Sequence, residues 1–239
     1  MPATERPTLH QRRSRETREL ILAAAYRVVS RRGYGGATVE EIVEEAGASM
    51  GALYYHFPNK EALFKSLLRE HAHRTMHALA SLPPPATFRE AIDGLVAFWI
   101  DHIRSEAASR PLTLEFWAQA TRAEWARDEV RASFDQFRSA IAAMLRIGQE
   151  AGLVRRELDP ESAAAVIVAA LEGVSLQCAI DDRVDIDAIR APLTAFIERF
   201  IATGDEGKLA EAGERVAELF GDANGGAHTK EGHHGGTKQ

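Results

Sequence analysis

Between Ser49 and Lys60 the chain reads SMGALYYHFPNK, and these residue types suit recognition of a nucleic acid better than the making or breaking of bonds. Gly51 and Ala52 are small enough to let a backbone approach base edges. Met50 and Ala52 offer apolar atoms to a thymine methyl group. Lys60 stands where a helix begins, and an ammonium beside unpaired helix N–H groups attracts a phosphate. No nucleophile elbow, phosphate-binding glycine loop, dinucleotide fingerprint or zinc-protease pattern occurs, so the sequence points away from an enzyme and names no cofactor.

The elements that must position these residues are legible from local chemistry. Thr38 and Glu41 have the spacing of a capping box and predict a helix from Val39. Val39, Ile42, Val43 and Ala46 fall on one helical face with the glutamates outside. Gly47 ends that helix, because glycine accepts the left-handed conformation. Ser49 caps a second helix over Met50 to His56. Pro58 stops it, since the residue before a proline avoids the α region, and Asn59 caps the next. Two short helices around a glycine turn form the layout of a helix-turn-helix, which places its second helix in the DNA major groove. Leu53 and Phe57 are expected in the core; for Tyr54, core and surface are equally open.

The segments YGGATVEEIVEEAG and LYYHFPNKEALF, with the amphipathic helix before them, resemble the DNA-binding domain of the TetR/AcrR family of bacterial transcriptional regulators over residues 14 to 76. The resemblance implies that Tyr54, Tyr55, His56 and Lys60 contact phosphates. Many relatives are more polar at the positions of Met50 and Ala52. Sequence readout is therefore expected to rely also on DNA shape and on flanking arginines. The C-terminal half resembles the AcrR/BetI type and implies a homodimer formed through helices near 161–181 and 187–203. Such a dimer would bind a near-palindromic double-stranded operator and release it when a small, largely apolar effector binds. An alternative is a DNA-bound protein that acts through a protein partner; a third class, a helical enzyme fused to the helix-turn-helix, has no catalytic constellation to support it.

Charge distribution agrees with DNA binding. Residues 1–32 hold eight arginines, Arg13 and Arg15 among them, against three glutamates, a net +5, although the chain as a whole carries −6. A basic N-terminal arm and first helix would meet phosphates while the acidic body stands away. The single cysteine, Cys178, permits no internal disulfide and fits a reducing cytoplasm. No secretion signal pattern opens the chain. The apolar run Ala163 to Ile180 is interrupted by Glu172 and Gln177 and is read as a buried interface helix, short of a membrane span.

The pattern is all-α throughout: an N-terminal three-helix helix-turn-helix domain followed by a C-terminal helical bundle for ligand binding and dimerisation. The expected divisions are a flexible basic arm at 1–13, the DNA-binding domain at 14–76, the effector and dimerisation domain at 77–220, and a disordered tail at 221–239. The first helix uses Leu20, Ile21, Ala24, Ala25, Val28 and Val29 as its buried stripe and ends at Gly33. Pro83 to Pro85 form a linker. A marginal last helix is expected over Lys208 to Phe220.

Phe98, Trp99, Phe116, Trp117, Phe134 and Phe137, with the polar groups of His102, Gln177 and Cys178 at matching helical depths, have the composition of an apolar ligand pocket with a few orienting groups. For any one of them ordinary core packing is the better expectation; the pocket reading belongs to the set. Glu70, His73 and His77 share a helical face at metal-binding spacing, but without a further ligand they read as a polar surface. Asp181, Asp182, Asp185 and Asp187 lack the glycine and terminal glutamate of a calcium loop and read as an acidic turn.

Overall fold

The computed structural model describes residues 8–105 and 110–203. Among them lie nine α-helices: α1 (Leu9–Gly36), α2 (Val39–Ala46), α3 (Met50–His56), α4 (Lys60–Ala80), α5 (Phe88–Ser105), α6 (Arg110–Ala120), α7 (Glu124–Glu150), α8 (Pro160–Ile180) and α9 (Ile186–Ile201). No strand occurs among the described residues beyond an isolated antiparallel bridge between Val154 and Ala202. The start of the expected arm, the expected helix at 208–220 and the tail lie outside the described residues.

Short-range chemistry sets most helix ends. α1 starts five residues ahead of the expected position 14, because Thr8 and Gln11 form a reciprocal capping box, with bonds of 2.8 and 3.2 Å. It breaks at Gly33, whose φ of +68° leaves the helical region, and continues briefly to Gly36. Within α1, Leu20 is exposed and Leu22 is buried in its place. At 3.6 residues per turn Leu22 lies about 60° around the helix from buried Ala25 and Leu20 about 140°, so only Leu22 reaches the core face. Asn59 caps α4 by accepting from the Ala62 N–H at 2.8 Å. Asp159, followed by Pro160 at the first helical position, caps α8 through the Ser162 N–H. In the acidic turn, Asp185 caps α9 and Asp181 takes the Arg183 guanidinium.

Two compact units emerge. Of the described residues, the first holds 8–76, 101–105, 110–137 and 172–184; the second holds 77–100, 138–171 and 185–203. α6, the first half of α7 and the end of α8 group with the N-terminal helices. In the first unit Ile21, Val28, Ile42, Leu53, Leu63 and Phe64 form one buried cluster, which α6 completes with Leu112 and Phe116.

The second unit buries Phe88, Ile92 and Trp99 of α5, Ile141 and Leu145 of α7, Ile167 and Leu171 of α8, and Leu193 and Ile197 of α9. A close approach occurs at Gly148. A β-carbon there would lie 2.5 Å from Val154 Cγ2 and 2.8 Å from the Phe88 ring. Gly148→Ala is therefore expected to cost about 1–3 kcal/mol by overpacking, read as a lower urea midpoint with unchanged slope.

α8 has a mean hydropathy of 1.9 over its most apolar 18 residues, and by length and composition alone it reaches what a membrane span requires. This corrects the sequence expectation, because Glu172 and Gln177 interrupt the run without lowering its mean enough. One side of α8 is core, with Ala164, Ile167, Leu171, Val174 and Cys178 buried. Val166, Leu176 and Ile180 are exposed.

Candidate nucleic-acid interface

The helix-turn-helix is built by three local devices. Thr38 Oγ1 accepts from the Glu41 N–H at 3.1 Å, and Ser49 Oγ accepts from the Ala52 N–H at the same distance. Gly47, at φ +60°, donates its N–H to the carbonyls of Glu44 and Val43 and turns the chain from α2 into α3. The expected reciprocal half of the Thr38 capping box is replaced. The Glu41 carboxylate pairs with Arg32 at 3.1 Å, and a charged partner outcompetes a backbone amide.

Leu53 and Phe57 are buried and anchor α3, while Met50 is 36% exposed, Tyr54 48% and Tyr55 75%. Tyr54 is thereby placed on the surface, and α3 presents Met50, Gly51, Tyr54 and Tyr55 outward. His56 and Ala52 are half-buried. Burial, reinforced by the nearby Arg18 charge, holds the His56 imidazole below its ordinary value of 6.5. At neutral pH it offers a hydrogen bond rather than a charge.

The arginines divide by role. Arg27 and Arg31 converge on Glu45 at 2.8 and 2.7 Å, and these two guanidiniums hold its carboxyl below the usual range. With Arg32 and Glu41 they tie α1 to α2, so three of the eight N-terminal arginines serve the fold. Arg18 lies over the Phe57 ring, 5.5 Å from its centroid, at the end of α3. Arg13 and Arg15 are exposed on α1.

Lys60 occupies a different environment from the one its position suggested. Its Nζ donates to the Tyr34 carbonyl at 2.5 Å and stands 4.6 Å from the centroid of the Tyr34 ring. Burial lowers its pKa, and the negative charge of Glu115 works against that shift. Tyr34 and Glu115 were not singled out by the sequence. Glu115 is 55 residues from Lys60, and no local pattern announces the meeting.

The proposed effector residues fall into separate neighbourhoods. Phe98 and Trp99 belong to the second unit, where the buried Trp99 indole N–H donates to the Leu171 carbonyl at 3.0 Å. The others belong to the first. Phe116 is buried edge-on to Phe64, centroids 6.1 Å apart, in the core beneath the helix-turn-helix. Trp117 lies against Phe134 at 6.3 Å, and His102 lies 5.8 Å from the His71 ring. Phe137 and Cys178 are buried, and Gln177 is exposed. A groove of about 580 Å³ along α1, α4 and α7 is lined by Arg18, Arg69, His73, Glu129 and Gln136, and includes none of these residues. Arg69 forks onto Glu129 there, at 2.8 and 2.5 Å.

Comparison with known proteins agrees with this geometry. Residues 21–67 match the bacterial regulatory proteins of the tetR family, and residues 88–202 match the C-terminal domain of BetI-type transcriptional repressors. The A-factor receptor protein of Streptomyces griseus is 30% identical over 168 residues, 70% of this chain and 56% of the relative, so the chain spans little more than half of that protein. The HTH-type transcriptional repressor AcnR of Corynebacterium jeikeium is 30% identical over 166 residues, 64% of this chain and 77% of the relative. Among solved structures, a TetR-family transcriptional regulator from Rhodococcus superposes with a TM-score of 0.69 at 25% identity, covering 77% of this chain and 98% of that one. A transcriptional regulator from Saccharomonospora viridis in complex with choline superposes at 0.65 with 28% identity, covering 79% and 98%. With a surface recognition helix on a buried anchor and these relatives, the chain belongs to the TetR family of bacterial regulatory proteins and is a DNA-binding transcriptional regulator, not an enzyme.

Proposed function

We propose that this regulator is a homodimeric repressor that binds a near-palindromic operator and is released from it by a small, largely apolar effector. The observation that carries the operator reading is the outward face of α3. Its small first turn and two exposed tyrosines rise from an anchor of Leu53 and Phe57. Thr38, Ser49, Met50, Gly51, Ala52, Tyr54, Tyr55 and His56 form the DNA-facing set, with Arg13 and Arg15 adding phosphate contacts. A two-fold dimer would set two such helices about 34 Å apart, in successive major grooves. Its interface is assigned to α8 and α9, whose Val166, Leu176, Ile180 and Phe196 are exposed apolar side chains. The choline complex of the Saccharomonospora viridis relative supports a small-molecule ligand.

A mobility-shift titration with the DNA upstream of the protein's own gene tests the operator reading. The expected result is a sequence-preferring complex, and absence of any preference at moderate salt would sink it. In the same assay, replacing both Arg13 and Arg15 by alanine should make the slope of log K against log salt less negative by about 1.8, or 0.9 for each lost phosphate contact. An unchanged slope would remove them from the interface. For the effector, choline and a medium-chain acyl compound are screened by thermal shift. A saturable rise in melting temperature together with release from DNA identifies an effector.

A further inference from the structure

At the end of α1 the otherwise apolar core of the first unit contains a small polar node. Lys60, the first residue of α4, reaches back to the carbonyl of Tyr34 at 2.5 Å and stacks its ammonium on the same tyrosine's ring. The ring itself is clamped edge-on by Phe64 at 4.4 Å and lies 5.6 Å from Trp125. Glu115 of α6 stands against Gly33. Its Oε1 accepts from Gln119 Nε2 at 2.9 Å, and its Oε2 packs so closely on Gly33 that a β-carbon there would stand 3.1 Å away. Gly33 is also where α1 breaks, at φ +68°, a conformation that side chains other than glycine resist. The node therefore joins the break in α1, the start of α4 and the middle of α6.

We infer that Lys60 and Glu115 are positioning residues for operator binding, Lys60 holding the start of α4 on the end of α1 instead of contacting a phosphate, and Glu115 seating α6 on the Gly33 break. Two observations carry this. The Lys60 ammonium is already engaged by a carbonyl and a ring, a half-buried setting that it would have to leave to reach DNA. Glu115, which packs on Gly33 at the end of α1 from a helix outside the helix-turn-helix, brings a negative charge to bear on it. α3 ends at His56, and only Phe57, Pro58 and Asn59 separate it from Lys60. An error in the seating of α4 is thus passed to the recognition helix across three residues.

The inference rests on the operator reading, and the test separates their failures. Operator affinity is measured across a salt series for the wild type, Lys60→Met, Lys60→Arg, Glu115→Gln and the Lys60→Met/Glu115→Gln double variant, with helicity and melting temperature recorded for each. Lys60→Met is expected to weaken binding about tenfold, the scale of a lost hydrogen bond to a charged group, with the salt slope unchanged. Lys60→Arg is expected to weaken it too, because a planar guanidinium does not fit the compact seat on Tyr34. Glu115→Gln, far milder for folding, is expected to weaken binding at unchanged slope, and the double variant to fall short of the product of the two effects. A slope reduced by about 0.9 in Lys60→Met, or full affinity in Lys60→Arg, would make Lys60 a phosphate contact and overturn the inference. Wild-type affinity in Glu115→Gln, or strict multiplicativity, would do the same. No sequence-preferring binding by the wild type would overturn the operator reading and this inference together.

Discussion

Phe64→Ala is expected to destabilise the protein by about 3–5 kcal/mol. The ring is fully buried, meets Tyr34 edge-on at 4.4 Å and Phe116 at 6.1 Å, and stands where α1, α4 and α6 converge. Removing it discards the burial of a large apolar surface and leaves a cavity that rigid helices on three sides cannot collapse into. It also discards two edge-to-face contacts, each worth about 0.5–1.5 kcal/mol. Urea denaturation should show the midpoint falling sharply at constant slope. Phe64→Leu, which refills most of the volume, should recover much of the loss. Operator binding should decline with stability, since the same ring supports the Tyr34 seat of Lys60. A loss below 1 kcal/mol would show that the helix-turn-helix is held mainly by α1, α2 and α3.

Glu172→Gln is expected to stabilise the protein in neutral and alkaline solution. Glu172 sits in the apolar run of α8, and burial alone raises its carboxyl from 4.5 to about 7. The unfolded chain loses this proton near 4.5 and the folded chain near 7. Between those values the native state holds the extra proton, and stability falls as pH rises. Below 4.5 both states are protonated and there is no penalty. Above 7 both are ionised and the full penalty, about 3 kcal/mol, is in force. The glutamine variant should therefore match the wild type near pH 4.5 and exceed it progressively up to pH 8, in denaturation series at one protein concentration. A difference that stays constant over that range would mean that the carboxylate finds a partner in solution.

The helix-turn-helix was readable in advance because its determinants are local. A hydroxyl three residues ahead of an amide, a glycine at the turn and a proline after α3 act over distances the chain cannot vary, so Thr38, Gly47, Ser49 and Asn59 were found in their expected roles. The helical pattern of Phe88 to Ile103, and the cap and proline before α8, were legible for the same reason. Leu53 and Phe57 follow from spacing on one face. The reciprocal capping box at Thr38 misled because Arg32, six residues upstream of it, competes for Glu41 across a helix interface.

What could not be read is what depends on two distant segments meeting. Periodicity left Tyr54 open; the packing of α3 on α1 and α2 brought it to the surface. Composition grouped the arginines of α1 as one basic surface, and the fold divided them, giving Arg27, Arg31 and Arg32 to α2 and leaving Arg13 and Arg15 exposed. The aromatic residues matched a pocket by type, yet the structure put Phe116 beneath the helix-turn-helix and Trp99 against the Leu171 carbonyl. Amino-acid order was enough to establish the all-α class, the helix-turn-helix and its caps, because those arise from interactions within a few residues. Only the tertiary structure decided which cations face outward and which are used internally, Lys60 above all, because a charged side chain goes to the partner that the fold brings nearest, and that partner can lie anywhere in the chain.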